Sequence, residues 1–416
     1  MLYYASLTIY NLYFHPLSKY PGPKLASVSN LWYVKAWMSG RYPFTIQQAH
    51  HKYGDVIRIS PNELSFVARK IVKSKFYDTG EKHLDLAQVQ DPEEHQRQRK
   101  MLARAFSLNA IHNFTDKFLQ QIGKMGCPKG PGIDVKQALN WLTQNRPDFM
   151  AFERERRPID PLLIYAIPGD LAFGESFGAV ESGKTHFWVS LIVESTYFYM
   201  FNDARKRFPL INLALLLLIP RDPGPKEGTI SEQELKSQAN TLIIAGSETT
   251  SMVLTGLVCF LLQNKPSLDK LIEEASLDEG LRLFPPIAFG PPRVSPGATV
   301  AGQYIPPGVI VSVDNWSVGR DPRNFRDPDS FLPERWLDRD STDNKASFQP
   351  FSLGLHACIG MNLANLEMRI ILAKMVWMYD WELISTDLDS FQEAKLYLLW
   401  KKPSVLVRFH LRGSME

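Results

Sequence analysis

Cysteine is scarce in this chain. Cys127, Cys259 and Cys358 are the only three in 416 residues, with no C-x-x-C pair and no even-numbered framework. Disulfide scaffolds and structural zinc are therefore poor readings, and a reducing compartment is the expected setting. An excess of one charge is missing too. Lys and Arg number 47 against 44 Asp and Glu, a net of +3 with no long basic run, so nucleic acid is not an expected partner. No internal repeat or low-complexity tract stands out, and no G-x-G-x-x-G, P-loop or flavin-binding pattern is present. Electrons for any redox chemistry must come from another protein.

The N-terminus lacks a long hydrophobic run. Met1–Phe14 is apolar and aromatic but ends at His15-Pro16, whereas a spanning helix needs ~20 apolar residues. It has no basic leader and no small-residue cleavage site, so a secretory signal is not expected. Residues 1–17 read as a short membrane anchor or interfacial segment, stiffened afterwards by Pro21-Gly22-Pro23, and residues 18–416 as one domain. With 44% hydrophobic and 22% charged residues, that domain is an ordinary globular one with a large core.

What the chain does have is concentrated in Phe351-Ser-Leu-Gly354-Leu-His356-Ala-Cys358-Ile-Gly360. Glycines on both sides of a lone cysteine allow tight turns and close approach of backbone to a flat ligand. The apolar-periodic segment that follows predicts a helix over 363–378, whose free N–H groups and positive end would draw the thiol towards its anion, the form that binds metals.

Three further segments carry chemistry. Asp91-Pro92-Glu93-Glu94 opens a helix, with Asp91 as N-cap and Glu94 placed for a capping box. On it His95, Arg99, Leu102 and Phe106 share one stripe, and an arginine there needs an anionic partner if the stripe is buried. Ser231-Glu-Gln-Glu234 starts a second helix running to Asn264, ~50 Å long. Its interior holds Ala245-Gly246-Ser247-Glu248-Thr249-Thr250, where glycine and hydroxyls are unfavourable and threonine can bond back to the carbonyl four residues earlier. Finally, Glu279 and Arg282 face one another at i, i+3 just before Leu-Phe-Pro-Pro286, and Phe331-Leu-Pro-Glu-Arg335-Trp336 follows. Asp55–Phe66 reads as two strands around Ser-Pro-Asn; 298–302, 309–313 and the last forty residues also read as strands.

These motifs, in this order, resemble those of the cytochrome P-450 family of haem-thiolate monooxygenases. The segments Tyr13-Phe-His-Pro-Leu, Tyr20-Pro-Gly-Pro-Lys-Leu and Asp170-Leu-Ala-Phe-Gly-Glu-Ser-Phe-Gly178 resemble its fungal secondary-metabolism branch. The resemblance implies a mainly α fold with small β sheets and a haem b whose iron takes Cys358 as axial thiolate. It implies propionate contacts from His95, Arg99, Arg293 and His356, with Phe351 and Gly354 shaping the cysteine loop. Glu248 and Thr249 would deliver protons, and Glu279, Arg282 and Arg335 would form a buried structural triad. The implied reaction is hydroxylation or epoxidation of an apolar small molecule with O₂, driven by an NADPH-cytochrome reductase at the cytosolic face of the endoplasmic reticulum membrane. The alternatives are a haem-thiolate isomerase or dehydratase, or a haem-binding remnant without turnover. The latter draws on two short stretches, Pro220–Ser231 and Pro266–Glu279, where the family fits further helices, and on the proline-broken stretch Leu142–Pro168. Weak haem binding is the expected consequence.

Overall fold

The computed structural model describes residues 2–67, 72–73, 86, 89, 91–103, 133–134, 200–208, 232–266, 273–384, 394–401 and 405–412. Cys127, Phe106, Leu142–Pro168 and Asp170–Gly178, singled out above, lie outside them, as do Arg104 and Leu210–Pro220.

The molecule is built around the helix Glu232–Gln263, 32 residues and ~48 Å long. It ends where Asn264 turns its N–H and its side-chain amide back to the carbonyl of Phe260, two residues before Pro266. Every residue from Thr250 to Cys259 is buried. The buried hydroxyl of Thr255 is satisfied by the Ser251 carbonyl at 2.7 Å, which lets a polar side chain sit inside a core helix without stranding a donor. The stretch Ile244–Gln263 is long and apolar enough to cross a membrane, but most of it is core.

That helix, Glu273–Leu283 and Met361–Met378 share one core, in which Leu257, Leu261, Leu281, Ile371 and Leu372 are all buried. A second core joins the long helix to Leu31–Met38 and Tyr42–Tyr53 through Trp37, Ile46, Met252 and Phe284. Met200 is buried in this second core and Phe201 is exposed.

The main sheet has five strands in the order Val56–Ser60, Glu63–Phe66, Ile310–Val313, Arg293–Val294, Val72–Lys73. The expected hairpin at Pro61-Asn62 forms, and its second strand runs parallel to Ile310–Val313, with Leu64 opposite Val311. Thus two segments some 250 residues apart are closed on one another. The expected strand at 298–302 is shorter, Ala298–Val300, because the chain turns back at Ala301-Gly302 to pair with Gln303–Ile305. The strand Leu406–Leu411 pairs with Tyr379–Leu383 and Ile133–Asp134. Mainly helical, with four sheets among the described residues, the architecture agrees with the sequence reading.

One local expectation fails. Asp91 does cap its helix, accepting from the Glu93 N–H at 2.8 Å. Glu94, however, does not close a capping box: both its oxygens grip Arg97, at 2.6 and 2.7 Å, and Gln98 adds a third bond. A bidentate guanidinium one turn ahead outcompetes a single backbone N–H one turn behind.

Candidate active site: a cysteine recess against a histidine–arginine helix

The loop before Cys358 is fixed at both ends. Phe351 packs against the main core, and its carbonyl accepts from the Cys358 N–H at 2.8 Å. Between them the chain makes a 3₁₀ turn over Gly354–His356, closed by the Ala357 N–H on the Gly354 carbonyl at 3.0 Å. Gly354 has φ +70°, and a methyl group there would meet nothing within 4 Å. Glycine is thus required by the backbone while its outer side faces open space. Ser352 takes φ +61°, a conformation a non-glycine residue holds only at some cost and one that clusters at functional sites.

Cys358 stands two residues before Gly360, the N-cap of Met361–Met378. It is accessible to solvent, yet enough protein surrounds it that desolvation governs its chemistry. Those two facts agree if the thiol lines a recess rather than an outer face. The sequence reading expects its pKa to fall. In the protein alone it rises: burial disfavours the thiolate more than the Gly360 N–H and the Arg99 charge favour it. A metal cation would reverse this balance, because a coordinated thiol is deprotonated outright.

The helix Pro92–Ala103 lies against this loop. His95 is buried, and its ring meets that of His356 edge to face, with centroids 4.6 Å apart. One turn on, Arg99 donates from Nη1 to the Ala357 carbonyl at 2.6 Å. Four residues named from the sequence, His95, Arg99, His356 and Cys358, are therefore brought into one cluster from segments over 250 positions apart. Arg293 comes from the main sheet, on the short strand between Ile310–Val313 and Val72–Lys73, buried and donating to the Pro292 carbonyl at 3.1 Å.

On the long helix Glu248 is buried and Thr249 half-buried. The Thr249 hydroxyl donates to the Ala245 carbonyl at 2.6 Å, the backward bond expected from the sequence.

The charged network beside the site is also as expected, and larger. Glu279 is fully buried and takes Arg282 in two bonds, 2.7 and 2.9 Å, and Arg335 at 3.1 Å. The Trp336 indole and the Leu332 N–H complete its shell, at 2.8 and 2.9 Å. The second Arg335 partner, Asp343 at 2.6 Å, was missed by sequence reasoning. Nothing marks an aspartate in a polar loop as a partner for an arginine eight positions earlier. Trp336 had a signal, since it follows Arg335 directly, but the bond it makes did not.

Comparison with known proteins meets the site at this point. A model of the cytochrome P450 family matches residues 201–409. Among the relatives, the cytochrome P450 monooxygenase BOA3 of Botryotinia fuckeliana is 34% identical over 499 positions, covering 98% of this chain and 94% of that protein. The cytochrome P450 monooxygenase poxC of Penicillium oxalicum is 35% identical over 466 positions, covering 98% and 92%. The averantin hydroxylase of Dothistroma septosporum is 32% identical over 489, covering 98% and 89%. The chain belongs to the cytochrome P450 family. It is a haem-dependent monooxygenase akin to those of fungal secondary metabolism. The alignments also bear on its length: 98% of 416 residues is about 408, so some 90 of the 499 positions aligned with BOA3 have no counterpart here. Internally, this chain is shorter than its relatives.

The residues around Cys358 suit a haem. Cys358 supplies one soft sulfur donor, Gly354 has open space at its Cβ position, and Arg99 adds a positive charge beside the His95 and His356 rings.

Proposed function

We propose that Cys358 is the axial ligand of the haem iron and that the protein hydroxylates or epoxidises an apolar small molecule. The observation that carries this reading is the Arg99–Ala357 bond, which docks the histidine–arginine helix onto the cysteine loop. Bound haem supplies activation of O₂, with the thiolate's electron density favouring O–O cleavage. The protein's own groups do the rest.

Arg99, His95 and His356 would hold the carboxylates of the haem, the guanidinium by charge and the imidazoles by N–H donation, and Arg293 would add a second guanidinium from the sheet. Phe351 and Gly354 keep the loop close to the ring face. Glu248 and Thr249 move protons. At rest the Thr249 Oγ1 proton is held by the Ala245 carbonyl, so delivery requires the hydroxyl to rotate away from the backbone and be resupplied by the Glu248 carboxyl. Burial of Glu248 limits the water that could do so at random.

Electrons come from an NADPH-cytochrome reductase, whose acidic surface suits the exposed Arg97 and Lys100 beside Arg99. The N-terminal segment places the enzyme on the cytosolic face of the endoplasmic reticulum membrane. Its exposed Tyr3, Tyr4, Tyr13 and Phe14 offer rings suited to the lipid–water boundary. The test is reductase-dependent consumption of NADPH in the presence of an apolar metabolite fraction, with product carrying one oxygen from ¹⁸O₂. Turnover without reductase, giving a rearranged or dehydrated product with no ¹⁸O, would overturn it.

A further inference from the structure

The N-terminal helix Leu2–Ile9 continues as a π turn over Tyr10–Phe14, in which the His15 N–H reaches the Tyr10 carbonyl at 2.8 Å. In that i→i+5 pattern the next carbonyl, of Asn11, would be served by the N–H of residue 16. Residue 16 is proline and has none. The donor comes from elsewhere in the fold: Arg58, on the first strand of the main sheet, places Nη1 2.7 Å from the Asn11 carbonyl. Its Nε and Nη2 go to the Pro61 carbonyl, at 3.2 and 2.6 Å.

Arg58 is 1% exposed and, with Arg282, is the largest fully buried side chain among the described residues. The guanidinium donates only to backbone carbonyls. Burial lowers its pKa to about 10, which still leaves it cationic at neutral pH. A buried cation facing the carbonyl end of a helix is a favourable but demanding arrangement, because moving the helix away would strand the charge. The strand holds the same segment again through its backbone. The Arg58 N–H donates to the Pro21 carbonyl at 2.8 Å, and a methyl on Gly22 would lie 2.4 Å from the Arg58 carbonyl oxygen. Leu17 and Tyr20, between these points, are buried in the core of the sheet.

We infer that Arg58 is a latch that makes the aromatic N-terminal segment a rigid strut of the catalytic domain, so that the domain meets a lipid surface at one fixed angle instead of swinging on a tether. The inference rests on the membrane reading above for the strut's purpose, and on the Arg58 contacts alone for its rigidity.

Two measurements separate these. In the haem-loaded full-length protein without lipid, hydrogen exchange of the peptide covering residues 10–20 is compared between wild type and Arg58→Met, which keeps apolar bulk but has no donor. Exchange at least tenfold faster in the variant is expected, with an intermediate rate for Arg58→Lys, whose single ammonium keeps the charge but lacks the fork that spans both carbonyls, and which serves if the methionine variant folds poorly. Equal exchange in wild type and both variants would overturn the latch. On oriented phosphatidylcholine–phosphatidylserine bilayers, polarised absorption of the haem should show a defined tilt for wild type. Arg58→Met should bind the bilayer within about twofold of wild type but lose the dichroism. Retained dichroism would overturn the fixed-angle claim. A wild-type protein that does not bind the bilayer, with faster exchange in the variants, would instead sink the membrane reading and leave the latch standing.

Discussion

Replacing Glu279 with glutamine tests the charged network most severely. The carboxylate is fully buried and accepts from two arginines, an indole and a backbone N–H. Glutamine keeps the shape but removes the charge and turns one acceptor into a donor aimed at a guanidinium. Arg335 retains Asp343; Arg282 keeps only the carbonyls of Gly319, Pro328 and Ser330. Breaking a buried pair by removing one partner costs ~3–5 kcal/mol, a large share of the ~5–15 kcal/mol that holds a domain together. The comparison that gives this meaning is Arg323→Gln. Arg323 makes bonds just as short, 2.6 Å to Asp55 and 2.6 Å to Asp321, but its side chain is 62% exposed. Water and salt should hold that loss to ~0–1 kcal/mol. The assay is urea unfolding of both variants and wild type, followed by tryptophan fluorescence and by the haem Soret band. If the two substitutions cost the same, burial is not what gives the Glu279 network its weight and the reasoning fails.

Thr249→Ala should retain haem but release more reducing equivalents as peroxide per NADPH, by severalfold, since a hydroxyl within the proton path is gone; unchanged coupling would leave helix packing as its role. Asp314, which caps the helix Asn315–Gly319, has its pKa raised to about 7 by burial. A carboxyl raised in the folded state is stabilising while protonated, so its contribution is full below pH ~4 and is lost as pH rises towards 7. Asp314→Asn, still a good cap, should therefore raise stability at pH 8 by ~1 kcal/mol or more relative to its effect at pH 4–5, read by thermal melts at both. Equal effects at both pH values would mean the carboxyl is not titrating there. Haem should pass to an acceptor protein faster than from a version with the missing internal segments restored, and equal retention would show those segments to be dispensable.

The architecture was legible because its signals are periodic. The long helix, the helix after Gly360 and the Pro61-Asn62 hairpin all come from apolar spacing and punctuation by proline and asparagine. The cluster of His95, Arg99, His356 and Cys358 was legible through resemblance, not spacing, since nothing local joins residue 99 to residue 357. Besides the Asp343 partner of Arg335, three things were not legible. The thiol pKa of Cys358 depends on how much protein surrounds it, and a sequence shows the dipole but not the burial. Glu94 had two competing partners at helical spacing, and the pattern names both without ranking them. The role of Arg58 arises from a proline 42 positions earlier, a pairing that no period connects.

The central claim, that Cys358 binds the haem iron, is tested most directly by the carbon monoxide difference spectrum of the reduced protein. Wild type should show the red-shifted Soret band of a thiolate-ligated haem. Cys358→Ser should lose that band while Cys259→Ser and Cys127→Ser keep it. A band that survives Cys358→Ser and disappears with either of the other two would contradict the account.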